Sequence, residues 1–205
     1  MDITSKVKHF IKEILRKHRI KALGTKEVVI IADNCWGGEF YKEFERPFNT
    51  PFIGLYFNPP CYIPLLQDFD RIMELPLEFI QESRKYPPSP TKYPIGLLDG
   101  HIEVHFLHYH SEEEALDKWN RRVERMLGIK DKNRYYFKFG VEKKEHLPYL
   151  EDFYQLPYRN KVSFAVWQYD DPRHVLMPDE KLADGLTLYH QSKKKFNIVK
   201  WLTQQ

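Results

Sequence analysis

The chain has 205 residues, 42% of them hydrophobic, and its mean hydropathy of −0.61 is ordinary for a globular protein that folds in water. A net charge of only +3 argues against a nucleic-acid partner, and no run approaches the roughly 20 apolar residues that cross a bilayer. The start of the chain lacks a secretory signal pattern, and Cys35 and Cys61 are too few for a disulfide framework, so we expect reduced thiols and a cytoplasmic protein.

The N-terminal segment is basic. Residues 1–26 hold eight Lys or Arg against two acidic residues, whereas the remainder of the chain is near −3. Residues 3–20 carry apolar side chains at helical spacing, which predicts a basic amphipathic helix ended by Gly24. Such a helix either lies on an anionic membrane surface or packs its apolar stripe on its own domain. We divide the chain into this helix, residues 1–24, and a single α/β domain, residues 25–205.

Strand-like and helix-like segments alternate through the domain. Residues 111 onward begin a helix with a capping box, and residues 86–94 are a proline-rich irregular excursion. Strands separated by helices predict βαβ units, hence a mostly parallel or mixed sheet of about five strands covered by helices. The predicted strands are 28–32, 52–57, 102–107, 135–139 and 162–167, and the other predicted helices are 39–44, 62–75 and 144–154.

The loop that leaves the first predicted strand is the leading candidate site, because ligands collect at the carboxyl ends of strands in open α/β sheets. It contains Asp33, Asn34, Cys35, Gly37 and Gly38. Cys35 would be a nucleophile if a helix N-terminus or a histidine activates it. Asn34 and the amides of Gly37 and Gly38 would be donors to an oxyanion. The alternative is that Cys35 is a small buried hydrophobic residue.

Four histidines, His101, His105, His108 and His110, lie around the third predicted strand. A histidine at the carboxyl end of that strand would reach a cysteine at the end of a neighbouring strand, which makes His105 or His108 the candidate general base. The spacing matches no established zinc pattern, so we predict no metal site. The structural alternative for each histidine is an imidazole satisfied by hydrogen bonds in the core or at the surface.

A basic run follows on the next predicted helix. Lys118, Trp119, Arg121 and Arg122 would suit a phosphate, carboxylate or nucleotide ligand. Because consecutive helical residues point about 100° apart, only one of the two arginines can face a site together with Lys118. A solvated helix face is the alternative.

Several blocks of the sequence resemble an uncharacterised bacterial family labelled exopolysaccharide biosynthesis protein. They are residues 29–41 with the Asn-Cys-Trp-Gly-Gly motif, 49–55, 93–96, 102–109, 111–115 and 118–122. The resemblance implies a three-layer α/β/α fold and an association with surface-polysaccharide genes, but no established reaction. More weakly, the Asn-Cys pair resembles a Gly-Asn-Cys loop of a capsule-biosynthesis acetyltransferase family, although Asp33 stands where that loop has Gly.

Three functions are therefore expected in order of preference. The first is an acyltransferase that modifies surface-glycan precursors, with Cys35 as nucleophile, His105 or His108 as base, and acyl-CoA held by Lys118 and Arg121. The second is a glycosyl- or phosphoglycosyl-transferase. The third is a non-catalytic partner of the polysaccharide machinery, docked at the inner membrane face through residues 3–20.

Overall fold

A computed structural model describes residues 3–86, 92–177 and 185–203. This part of the chain forms a four-stranded parallel sheet and a three-stranded antiparallel sheet, so the predicted α/β class is confirmed. The strands are β1 (Val29–Ala32), β2 (Glu78–Ile80), β3 (Ile95–Leu98), β4 (Ile102–His105), β5 (Tyr135–Val141), β6 (Asn160–Ala165) and β7 (His174–Leu176). The helices are α1 (Ile3–Leu23), α2 (Trp36–Glu43), α3 (Pro59–Gln67), α4 (Phe69–Ile72), α5 (Glu112–Gly128), α6 (Pro148–Gln155), α7 (Gly185–Ser192) and α8 (Ile198–Thr203).

The parallel sheet has the order β1-β5-β6-β7 and separates two hydrophobic cores. Successive side chains of a strand point to opposite faces, and along β1 Val29 and Ile31 join one core while Ile30 and Ala32 join the other. Helices α3 to α6 and the antiparallel sheet contribute to the first core, and α1, α2, α7 and α8 contribute to the second. This is the expected three-layer arrangement, with helices on both faces of a buried sheet.

The predicted strand 102–107 is wrong in its placement. Its first four residues form β4, but β4 pairs antiparallel with β3 and does not enter the parallel sheet. The predicted strand 52–57 is also wrong, since only Tyr56 makes a β-bridge, to His105. Gly54 adopts a positive φ of 69° in the middle of that segment, which interrupts an extended ladder. The fourth parallel strand is instead β7, which the sequence pattern did not predict.

The helices follow the sequence more closely. The predicted helix 62–75 is present as α3 and α4, which are separated at Asp68 by a non-helical backbone. Ser111 caps α5 by accepting a hydrogen bond from the Glu114 N–H, as the capping box predicts, and the Glu114 carboxylate accepts one from the His110 N–H. The predicted helix 144–154 is α6 preceded by a 3-10 turn. Within the excursion 86–94, residues 87–91 lie outside the described residues.

Helix α1 ends where Gly24 takes a positive φ of 58° and its N–H bonds back to the Ile20 carbonyl. Its apolar residues Val7 to Leu15 do not pack on the domain, and half or more of each side-chain surface is exposed. The expectation that the stripe packs on its own domain is therefore wrong. In the described ranges, no helix is both long enough and apolar enough to cross a membrane.

Candidate functional site

A cavity of about 800 Å³ lies at the carboxyl end of β1. We call it the Cys35 cavity. Its walls come from the loop after β1, the first turns of α2, the irregular segment 48–56, residues 107–109 after β4, the side of α5 and the start of α7. Elements from both layers of helices therefore meet at this edge of the sheet, which is the place where open α/β sheets bind ligands.

A buried ion pair fixes the loop beneath the cavity. The Lys138 ammonium, which is fully buried on β5, donates to Asp33 Oδ1 at 2.8 Å and to Asn34 Oδ1 at 2.9 Å. The Gly140 N–H donates to the other oxygen of Asp33 at 3.1 Å. Burial raises the pKa of Asp33, and the ammonium of Lys138 opposes that rise. Asp33 and Lys138 thus clamp β1 to β5 and hold Asn34 in one orientation.

Asn34 lines the cavity, and its amide oxygen accepts two hydrogen bonds from the protein. Besides the Lys138 ammonium, Oδ1 accepts a hydrogen bond from the Trp36 N–H at 3.1 Å. The amide nitrogen Nδ2 is buried and has no acceptor in the described residues. A buried donor without an acceptor is rare in folded proteins and is costly to leave so. Asn34 therefore carries a buried hydrogen-bond donor that no described group satisfies.

Cys35 is half-buried at the N-terminus of α2 and lines the same cavity. Its thiol points toward the Leu55 carbonyl, with Sγ 3.9 Å from the oxygen. The N-terminal end of a helix carries the positive pole of the helix dipole, which favours negative charge placed there. Cys35 is therefore neither a core residue nor fully exposed, and a ligand in the cavity can reach it.

The two glycines of the loop have different surroundings. A Cβ on Gly37 would lie 3.2 Å from Ile30 Cγ2, so this glycine allows α2 to pack closely on β1. Gly38 lines the cavity, but its N–H donates to the Cys35 carbonyl at 3.1 Å inside the first turn of α2. The Gly38 amide is thus occupied, so the expectation from the sequence that it would donate to an oxyanion is wrong.

The histidines divide between two cavities. His108 is exposed, lines the Cys35 cavity and packs against Gly54. His105 is 3% exposed and lines a second cavity of about 540 Å³. There its Nε2 lies 3.6 Å from the buried Glu103 carboxylate and its Nδ1 lies 3.3 Å from the Tyr93 hydroxyl. Burial lowers the pKa of His105. The structure brings His108, and not His105, to the cavity of Cys35.

The remaining histidines do not complete a metal site. The exposed His101 ring pairs through Nδ1 with the Asp99 carbonyl at 2.7 Å, and His110 lines the second cavity. Nowhere in the described ranges do three or more His, Cys, Asp or Glu side chains converge as metal ligands would.

The basic run on α5 is split by the helix. Lys118 and Arg122, one turn apart, line the Cys35 cavity. The Arg122 guanidinium donates to the Tyr109 hydroxyl at 2.6 Å, and Lys118 pairs with Glu114. Arg121 points to solvent, where it pairs with Asp117, and Trp119 is buried in the core. Only Lys118 and Arg122 of this run are therefore in a position to contact a ligand.

The sequence pattern missed several residues of the cavity. Lys42 and Glu39 of α2, Tyr56 and Glu142 all contribute to its walls. The start of α7 covers the Cys35 loop so closely that a Cβ on Gly185 would lie 2.3 Å from the Trp36 nitrogen. No local signal marks these residues, because their roles depend on contacts between distant parts of the chain.

Comparisons with known proteins match most of the chain. A protein of Haemophilus influenzae (strain ATCC 51907 / DSM 11121 / KW20 / Rd), whose given name is "Uncharacterized protein", is 33% identical over 169 residues. The match covers 80% of this chain and 71% of that protein. Residues 6–203, which include all the cavity residues named above, match one domain family. The chain belongs to the family described as Domain of unknown function (DUF1919).

Proposed function

We propose that the protein is a group-transfer enzyme of exopolysaccharide or capsule biosynthesis, an acyltransferase that modifies surface-glycan precursors. The observation that carries the proposal is that Cys35, His108 and Asn34 line one cavity at the carboxyl end of β1. A nucleophile, a base and a buried donor without an acceptor are the three groups that acyl transfer through a covalent intermediate requires. The resemblance to exopolysaccharide biosynthesis proteins supplies the class of acceptor.

The reaction would proceed in two steps through an acyl-enzyme. His108 takes the thiol proton of Cys35, the sulfur attacks the thioester carbonyl of an acyl-CoA, and the departing CoA thiolate receives the proton. A hydroxyl of the glycan precursor then attacks the acyl group, His108 accepts the hydroxyl proton, and the Cys35 sulfur leaves. The amide nitrogen of Asn34 would donate to the carbonyl oxygen while it carries negative charge in both steps.

The cations of the cavity suit the phosphates of such a donor. Lys118 and Arg122 line one wall, and Lys42 of α2 also contributes to the cavity. Arginine binds phosphate oxygens through two parallel hydrogen bonds, whereas lysine acts as a compact charge. We assign Arg122, in place of the Arg121 expected from the sequence, to the acyl-CoA phosphates.

We place the reaction in the cytoplasm, at the inner face of the membrane. Cys35 and Cys61 form no disulfide in the part of the chain that the structure describes, and reduced cysteines are usual in that compartment. A group-transfer step on glycan precursors also needs an activated donor, and acyl-CoA is a cytoplasmic metabolite class.

A single-turnover acylation assay tests the proposal. Purified protein is mixed with acetyl-CoA, and the intact mass is followed. We expect the wild-type chain to gain one acetyl group and Cys35→Ala to gain none, with His108→Ala slowed by about a hundredfold, a typical effect of losing a general base. Cys61→Ala is the matched control, because Cys61 is fully buried away from the Cys35 cavity. Labelling of Cys35→Ala at the wild-type rate would refute the mechanism.

A pair of arginine variants tests the donor site. Arg122→Ala should weaken CoA binding by about tenfold, which corresponds to about 1.4 kcal/mol. Arg121→Ala removes the same charge from the same helix but leaves the cavity wall intact, so its CoA affinity should match the wild type. Isothermal titration calorimetry measures both. Equal losses in the two variants would indicate a general charge effect and not a phosphate site.

A further inference from the structure

We propose that α1 is an in-plane anchor that holds the protein on an anionic lipid surface. The inference starts from five large apolar residues of α1 that are exposed, with relative exposures of 50% to 66%: Val7, Phe10, Ile11, Ile14 and Leu15. They make up most of the exposed large apolar side chains in the described residues. A continuous exposed apolar patch on a protein surface marks a site of interaction.

The stripe faces away from the domain. The other face of α1 is held to the body by ion pairs, since Arg19 binds Glu43 at 2.5 Å and Arg16 binds Glu45 at 2.6 Å. Leu23 is buried in the core that α2, α7 and α8 share. At 100° per residue, the residues of this docked face centre roughly opposite the apolar stripe. The body therefore fixes the orientation of the stripe and does not cover it.

The charges beside the stripe select an anionic partner. Residues 1–26 hold eight Lys or Arg against two acidic residues, and one of those two, Glu13, is already paired with Arg16. Lys6 and Lys17 lie together on one flank of the stripe by helical spacing, and both are exposed. An apolar face bordered by lysines is the pattern of helices that lie in the headgroup region of anionic bilayers. A second copy of the chain would bring the same positive charges together.

The position of α1 also suits the proposed function, and this part of the inference rests on the proposed function. Glu39 and Lys42 of α2 line the Cys35 cavity on one side and, on the other, the groove that α1 forms with α2 and α7. The cavity and the anchor are thus separated by a single helix. A protein bound through α1 would hold the cavity beside the membrane surface, so the proposed acyl acceptor would be a glycan precursor at that surface.

Vesicle sedimentation with the full chain tests the anchor. The probes are vesicles of phosphatidylcholine alone and vesicles that contain about one-third phosphatidylglycerol. We expect binding to the anionic vesicles only, with a loss of at least tenfold in Phe10→Ser/Ile14→Ser and a smaller loss in Lys6→Gln/Lys17→Gln. Leu116→Ser, an exposed leucine of α5, is the matched control and should bind as the wild type does. All these side chains are exposed, so the variants keep the fold.

Three results would overturn the proposal. The first is that the wild type binds neither kind of vesicle, and the second is that Phe10→Ser/Ile14→Ser binds as well as the wild type. The third is that the wild type binds no vesicle but is a dimer in light scattering, whereas Phe10→Ser/Ile14→Ser is a monomer. Cys35→Ala separates the anchor from the enzyme, because it should sediment with anionic vesicles like the wild type. Acetyl labelling of Cys35→Ala at the wild-type rate, with sedimentation intact, would refute the proposed function and leave the anchor standing.

Discussion

Replacing Lys138 by methionine should be among the most destabilising single changes in the chain. The variant keeps the length of the side chain but leaves the Asp33 carboxylate buried without its cation, and Asn34 Oδ1 loses one of its two donors. Removing one partner of a buried ion pair costs about 3–5 kcal/mol. For a domain of this size 1 kcal/mol corresponds to roughly 2–4 °C, so the midpoint of thermal unfolding should fall by roughly 6–20 °C.

The loss should depend on pH because Asp33 titrates. Burial raises the pKa of Asp33 above the ordinary value of about 3.9. At a pH between the ordinary pKa of the unfolded chain and the raised pKa of the folded protein, Asp33 is protonated only in the folded protein. The free energy of unfolding therefore falls as the pH rises through this range. Without the Lys138 ammonium the pKa of Asp33 in the folded protein rises further, so this pH range extends to higher pH. The deficit of Lys138→Met should therefore be largest at neutral pH and shrink on acidification.

Urea unfolding of wild type, Lys138→Met and Asp33→Asn/Lys138→Met at several pH values measures this coupling. The double variant has no buried charge, so it should recover much of the stability that the single variant loses. A single variant within about 1 kcal/mol of the wild type, or a double variant no more stable than the single one, would contradict the role given to the pair.

Two further predictions concern packing and titration. Gly185→Ala would place a Cβ 2.3 Å from the Trp36 nitrogen, so it should cost about 1–3 kcal/mol in urea unfolding, while Gly128→Ala, whose Cβ meets nothing within 4 Å, should be neutral or slightly stabilising. Burial lowers the pKa of His105, so the unfolded chain binds a proton that the folded chain does not, and stability should drop as the pH falls through about 6.5. His105→Gln should flatten that slope in a series of thermal melts, and an unchanged slope would mean that other groups produce it.

The strands that were predicted well are those whose own residues define them. β1, β5 and β6 are buried on both faces, and β1 and β5 consist mostly of β-branched or aromatic residues, which is typical of central parallel strands. The segment 52–57 has a similar composition but follows an irregular path, because burial selects apolar residues whatever the backbone does. β2 and β7 have only three residues each, too few for a periodic pattern.

Local sequence patterns did not predict which strands pair with each other. The sequence located β4 but gave no indication that its neighbour is β3 in a second sheet. The consequence for the site was an unresolved choice between His105 and His108. Only the tertiary structure shows that His105 lines the second cavity and His108 the Cys35 cavity.

Several residues that the sequence singled out line the same cavity because they are close to one another along the chain. Asn34, Cys35 and Gly38 adjoin one strand end, and Lys118 and Arg122 lie one turn apart on one helix. The sequence did not show which of their polar groups are already hydrogen-bonded within the protein. The Gly38 N–H, for example, donates to a carbonyl in its own helix turn. Lys138 was also missed, because a lysine in a strand is ordinarily expected at the surface, and its burial depends on Asp33 in the loop that follows the neighbouring strand β1.

The contact between Trp36 and the C-terminal helices has a consequence for the order in which the protein is completed during synthesis. The Trp36 indole donates to the Ser192 hydroxyl across 156 residues of chain, and α7, which starts at Gly185, forms a wall of the Cys35 cavity. A ribosome releases the chain from the N-terminus at roughly 5–20 residues per second, so the Cys35 loop emerges long before the helix that covers it. A nascent chain whose central strands have left the ribosome still lacks α7, so one wall of the Cys35 cavity is missing. Binding of the proposed donor would therefore report on the last stage of folding.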